Sequence, residues 1–183
     1  MVARRSWLRR GQRMLDLVAY IDGGSFGNPG PSGVGVRIDG AATGPIRIAK
    51  WIGRQDSNVA EYVALMEALQ CALSLNAQRL HVYSDSQIVV KQMTGEYKCR
   101  SSRLYSLNWT CHRLARSLNF SISHLGRKNN AEANTLANSA VRTGPATKGM
   151  GFRREFPTED PGETGMKNGT TRSVSAGPLQ VHP

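Results

Sequence analysis

Acidic residues are scarce in this chain: 13 Asp and Glu stand against 24 Lys and Arg in 183 residues, a formal net charge of +11. The imbalance argues against a cationic partner and for a polyanionic one, nucleic acid first. Cysteine is scarce as well; Cys71, Cys99 and Cys111 are odd in number and lack paired metal-ligand spacing. That excludes a disulfide framework and leads us to expect reduced thiols in a cytoplasmic protein. Cys111 beside His112 is a poor start for a zinc site, because two adjacent residues do not supply a tetrahedral ligand set. No apolar run reaches the roughly 18 residues that a membrane helix needs, and the N-terminus lacks the apolar stretch of a secretory signal. A soluble chain with no membrane partner is expected.

The positive charge is uneven. Arg4, Arg5, Arg9, Arg10 and Arg13 give residues 1–14 a charge of +5 with no acid among them, residues 145–183 carry +1, and the middle keeps +5. The middle is therefore basic in its own right. The arginine-rich start reads equally as a nucleic-acid-binding arm, a transit-like leader or a plain extension. A length of 183 residues leaves room for one ordinary domain and one core. Beyond Gly144 the chain is rich in Gly, Pro, Ser and Thr and loses its apolar period. The expected organisation is a basic arm over 1–14, a folded domain over 15–143 and a disordered tail over 144–183.

Within the middle, three strand-like runs come first, at about 16–22, 33–39 and 46–52, separated by glycine- and proline-rich turns that suit an antiparallel meander. A helix of about 57–75 follows, with Val59, Val63, Met66, Leu69 and Leu73 on one face, and then a strand of about 79–84. Further helices are expected over 86–93, 103–117 and 131–141, with a fifth strand over 120–125. Strands grouped first and then alternating with helices predict an α/β fold: a five-stranded mixed sheet flanked by helices.

Acids, though few, are well placed. Asp22 closes the apolar run LVAYID, Asp85 closes RLHVYSD, and Glu61 opens the helical stretch NVAEYVALMEALQCAL. Carboxylates gathered on one rim of a sheet repel one another unless a multivalent cation neutralises them, so their expected use is to hold Mg²⁺ through oxygen ligands. The glycine-rich segment GGSFGNPGPSG is not a phosphate-cradling loop, because a strand and not a helix follows it.

Four segments, YIDGGSFGNPGPSGVG, NVAEYVALMEAL, VYSDSQIVV and HLGRKNNAEANTLAN, stand in an order and at spacings that resemble type 1 ribonucleases H. The resemblance covers roughly residues 15–143. It implies the ribonuclease H-like fold and an endonuclease that cleaves the RNA strand of an RNA–DNA hybrid by two-metal hydrolysis, with Mg²⁺ or Mn²⁺ as cofactor. By the same resemblance Asp22, Glu61 and Asp85 are three of four catalytic, metal-binding residues, and the fourth position, normally Asp, holds Asn134. An amide lowers the ligand charge but keeps an oxygen that can meet a hard cation. Glu132 is a rival carboxylate two residues away, although that shift turns a helical side chain by about 200°.

The resemblance also makes His124 a candidate for proton transfer and product release; alternatively it ends the fifth strand as a structural residue. Asn28, Asn58, Ser86 and Gln87 are the candidates for reading the minor groove and its 2′-hydroxyls, with turn-making and helix capping as the plainer roles of Asn28 and Ser86. Trp7, Trp51 and Trp109 could stack on bases or pack against the fold. The basic helical protrusion and the N-terminal hybrid-binding domain of some family members have no counterpart in this sequence. A monomer without an obligate protein partner is expected. Two other functions compete: a hybrid-binding protein that Asn134 has left with little or no catalytic activity, and a strand transferase on the same fold, which would ordinarily carry flanking DNA-binding domains.

Overall fold

Each of the three opening apolar runs becomes a ten-residue strand in the computed structural model, which describes residues 14–144. The arm and tail expected at the two ends therefore lie outside the described residues, Met14 and Gly144 apart. Strands β1 (Asp16–Ser25), β2 (Gly30–Asp39) and β3 (Ile46–Gln55) form the expected antiparallel meander. Helix α1 (Ser57–Ser74) starts at Asp56, whose side chain accepts from the Val59 amide at 2.9 Å. It carries the chain over to β4 (Arg79–Ser84), parallel to β1. Helices α2 (Gln87–Met93) and α3 (Ser102–Ala115) lead to β5 (Asn119–His124), parallel to β4; a 3₁₀ turn at Arg127–Asn129 and helix α4 (Ala131–Thr143) complete the order. The sheet order is β3-β2-β1-β4-β5, the five-stranded mixed sheet that the sequence predicts.

The glycines do more than make turns. The connection between β1 and β2 is only residues 26–29, so Gly23 and Gly24, expected in a turn, belong to a strand. A Cβ on Gly23 would stand 2.2 Å from the backbone of Ala60, and one on Gly35 would stand 2.1 Å from the Ala133 carbonyl oxygen. Because successive strand residues face opposite ways, β1 and β2 are pared down on both sides: α1 lies against one face and α4 against the other. Gly35→Ala is therefore expected to push α4 off the sheet and to cost about 3 kcal/mol, the upper end of overpacking penalties. Urea unfolding of the variant checks this, and an unchanged midpoint would contradict it.

Helix α1 is buried on a broader front than its large apolar residues suggest. Ala60, Ala64, Leu65, Ala68 and Ala72 are fully buried, whereas Val63 and Met66 are only partly so. The reason is that α1 is pressed between the sheet and α3, where small side chains allow close approach on the crowded side. Cys111 of α3 is buried in this layer, and burial pushes its thiol up to about 12, so it stays protonated and packs as a small apolar residue. Trp51 lies against Gly144 at the end of α4, which is a packing role.

Candidate active site

Parallel pairing sets Ile21 opposite Ser84, so the next residue of each chain, Asp22 and Asp85, emerges at the same end of neighbouring strands. The bare backbone of Gly23 lets α1 approach closely enough to bring Glu61 beside them. One oxygen from each of Asp22, Glu61 and Asp85 lies within 4.8 Å of the other two. Together with Ser25, Ser57, Arg127, Asn134 and Asn138 they line a cleft of about 350 Å³.

The electrostatics of this cluster are unfavourable as it stands. Asp22 is 3% exposed, and burial followed by repulsion from Asp85 raises its carboxyl from 3.8 to about 6. Burial and then the charges of Asp22 and Asp85 push Glu61 well above the usual carboxylate range, against a hydrogen bond from the Gly23 backbone and the charge of Arg127. One Glu61 oxygen, Oε2, is buried with no hydrogen-bond partner. Three acids forced together, with an orphaned carboxylate oxygen among them, fit a divalent cation bound by hard oxygen ligands.

Asn134 sits on the first turns of α4, over Asp22. Its amide nitrogen donates to Asp22 Oδ2 at 3.2 Å, while its oxygen accepts from Asn138 Nδ2 at 2.9 Å. The amide thus shows Asp22 its donor end, which a carboxylate oxygen requires, and not the oxygen that a cation would need. Glu132 is engaged elsewhere: Arg37 Nη1 and Arg47 Nε donate to it at 2.5 and 2.7 Å, tying α4 to β2 and β3. It is not available to replace a missing acid without breaking both pairs.

The other candidates are arranged around the rim. Asn28 accepts from the Ser57 amide at 3.2 Å, joining the β1–β2 turn to the start of α1. Asn58 is half-buried in the first turn of α1. Ser86 caps α2 by accepting from the Val89 amide at 3.4 Å, and Gln87 is exposed beside it. His124 is the exposed last residue of β5 and lines a neighbouring depression with Gln87, Lys91 and Glu96 rather than the acidic cleft.

Arg127, Asn130 and Asn138 take part in the site without any distinguishing mark in the sequence. Arg127, in the 3₁₀ turn, is the cation that the acidic cleft receives from the chain itself. Asn130 precedes α4 where an Asn ordinarily caps a helix, yet it makes no cap bond; it is 1% exposed and donates to the Ile21 carbonyl at 2.8 Å and to Asp85 Oδ1 at 3.3 Å. It fixes Asp85 to the edge of β1. The only sequence signal was the NN pair before the last helix, which a capping role explains equally well.

The profile described as reverse transcriptase-like matches residues 23–140. That range runs from the last residues of β1 through most of α4 and leaves Asp22 one position outside it; the five-stranded mixed sheet with its helices is the ribonuclease H-like fold. Ribonuclease HI of Halobacterium salinarum is 37% identical over 125 residues, covering 67% of this chain and 63% of that protein. The crystal structure of RNase H1 from that archaeon superimposes with a TM-score of 0.66, at 35% identity, over 69% of this chain and 98% of the other. LC11-RNase H1, solved in complex with an RNA/DNA hybrid, gives a TM-score of 0.64 at 31% identity over 69% of this chain and 97% of that one. The chain belongs to the ribonuclease H family. It spans somewhat less than two thirds of the archaeal protein, and 46% of a bifunctional protein of Mycobacterium tuberculosis that is 35% identical over 169 residues.

Proposed function

We propose that residues 15–143 act as a metal-dependent endoribonuclease that hydrolyses the RNA strand of RNA–DNA hybrids and leaves 5′-phosphate ends. The observation that carries the reading is the convergence of Asp22, Glu61 and Asp85 oxygens within 4.8 Å of one another. A pair of divalent ions, Mg²⁺ or Mn²⁺, held by these acids would supply the Lewis-acid chemistry of phosphodiester hydrolysis. The chain's own residues do the rest. Asp22 and Asp85, set by paired strands, fix the charge at one point of the cleft. Asn130 holds Asp85 in place from below. Arg127 offers the cleft a positive charge to which a phosphate can be drawn.

Substrate selection falls to the short polar groups on the rim. Asn28, Asn58, Ser86 and Gln87 suit the wide minor groove of a hybrid, where 2′-hydroxyls mark one strand only. His124 stands one strand end away from Asp85 and would serve proton transfer or product release only by a movement of the segment that follows it. A cytoplasmic, monomeric enzyme fits the same reading. Incubating the chain and Mg²⁺ with end-labelled hybrid, RNA duplex, DNA duplex and single-stranded RNA tests it: cleavage confined to the RNA of the hybrid is expected, and equal cleavage of duplex RNA would overturn it.

Asn134 gives a second reading its footing, because its amide nitrogen faces Asp22. To offer a cation its oxygen the amide must turn over, breaking the bonds to Asp22 and Asn138. A chain in which that turn never occurs would bind hybrid and cleave it poorly. On the enzyme reading, Asn134→Asp adds a fourth charge and is expected to lower the Mg²⁺ needed for half-maximal cleavage by roughly tenfold, about 1.4 kcal/mol. Asn134→Ala shifts it the other way. Titrating Mg²⁺ and Mn²⁺ against cleavage measures both, and an alanine variant identical to the parent at every concentration removes the residue from the site.

A further inference from the structure

Helix α3 has two unlike faces. Leu104, Cys111 and Ala115 are buried in the core, whereas Tyr105, Trp109, Arg113 and Arg116 are exposed and follow one another at helical spacing along the outside. Trp109 is 53% exposed, with the Arg113 guanidinium 5.3 Å from its ring centroid. Trp109, His112, Arg113 and Arg116 line a depression of about 170 Å³.

The segment that carries this face holds charge of one sign. From Tyr97 to Ala131 the sequence contains seven Lys and Arg and no Asp or Glu. Elsewhere among the described residues Arg37, Arg47, Lys50 and Arg79 each pair with an acid, while Arg54, Lys91 and Arg142 do not. Arg113 and Arg116 make no such pair among the described residues. The helix dipole favours cations in the last turn of α3, but it gives no reason for an exposed indole stacked on one of them. A basic groove with a presented aromatic plane is the combination that binds an unpaired polynucleotide, whose bases have free faces and whose phosphates need cations. Duplex offers no free base face, so the indole selects the single strand.

The position supports a strand continuous with the cleft. At the other end of α3, Arg103 pairs at 3.0 Å with Asp56, the cap of α1, next to Ser57 on the cleft rim. From Arg103 to Arg113 the helix rises about 15 Å, within reach of a few nucleotides leaving the rim. We infer that the Trp109–Arg113–Arg116 face of α3 is a contact for single-stranded nucleic acid flanking the duplex that the cleft holds. The inference rests on the hybrid reading for the source of that strand, and the two fail separately.

The test is fluorescence anisotropy with the full chain and two labelled hybrids, one blunt and one carrying an oligo(dT) overhang, in Ca²⁺ to prevent turnover. The parent is expected to bind the overhung hybrid roughly tenfold more tightly, in the range of one stacked base. Trp109→Ala and the double variant Arg113→Ala/Arg116→Ala should each erase that gain, Trp109→Phe should keep part of it, and all should bind and, in Mg²⁺, cleave the blunt hybrid like the parent. No gain in the parent, or a gain that survives both alanine variants, overturns the contact. Failure to cleave any hybrid would instead overturn the nuclease reading.

Discussion

Replacing Asp22 with Asn is expected to lower hybrid cleavage by more than about 10³-fold, beyond the 10² to 10³ that loss of one electrostatic donor costs. Asp22 is the most buried of the three acids and the one that both Asp85 and Asn134 address. Asn is nearly the same shape, so the strand and its neighbours have no reason to move. What is lost is charge, in a cleft where the side chain lying over Asp22 is an amide and not an acid. Glu61→Gln and Asp85→Asn should do the same for the same reason. Turnover at saturating Mg²⁺ and Mn²⁺, beside circular dichroism, measures the effect. Near-normal turnover by any of the three variants with an unchanged fold would contradict the assignment.

The second large effect is on stability. Asp22 titrates near 3.8 in an unfolded chain and at about 6 in the fold, and Glu61 is raised as well. Between those values the folded state holds protons that the unfolded state has released. The contribution of these two acids to stability must therefore fall as pH rises from about 4 through about 6. For Asp22 alone the loss reaches about 3 kcal/mol, or roughly 10 °C in Tm for a domain of this size. A divalent cation should reverse it, since a ligand at about 100 times its Kd stabilises by about 2.7 kcal/mol. Thermal melts are expected to show Mg²⁺ or Mn²⁺ raising Tm at pH 7.5 and doing little at pH 4. Asp22→Asn should melt higher than the parent without cation and respond less to it. An Asp22→Asn variant whose cation-free Tm changes with pH between 4 and 7 just as the parent's does would refute the strained cluster.

The chain announces most of this architecture through period and punctuation. The apolar period predicts helix α1 over about 57–75, and the helix spans Ser57–Ser74 with Asp56 as its cap. Asp85 directly follows β4, as its closing of an apolar run implies, whereas β1 continues three residues past Asp22; what makes the two neighbours is that the parallel pairing stops at Ile21 and Ser84. Less legible was what depends on contacts between distant segments. Gly23 and Gly35 look like turn or strand residues; that α1 and α4 rest on them is visible only when the helices are in place. Asn130 bonds to the Ile21 carbonyl across 109 positions of sequence, and nothing local distinguishes it from a capping Asn. Which end of the Asn134 amide meets Asp22 follows from Asn138 one turn later, a pairing that composition does not disclose. The Ala-lined side of α1 is hard to see in the sequence because hydrophobic periodicity weights large side chains, while tight layers select small ones.

Asp22, Glu61 and Asp85 together are expected to hold divalent cations. Anomalous diffraction from crystals of the chain soaked in Mn²⁺ addresses it without relying on activity. Manganese peaks within bonding distance of oxygens from all three carboxylates, one of them the unpartnered Glu61 Oε2, are the expected result. A saturated soak that leaves this cleft without any manganese peak would contradict it.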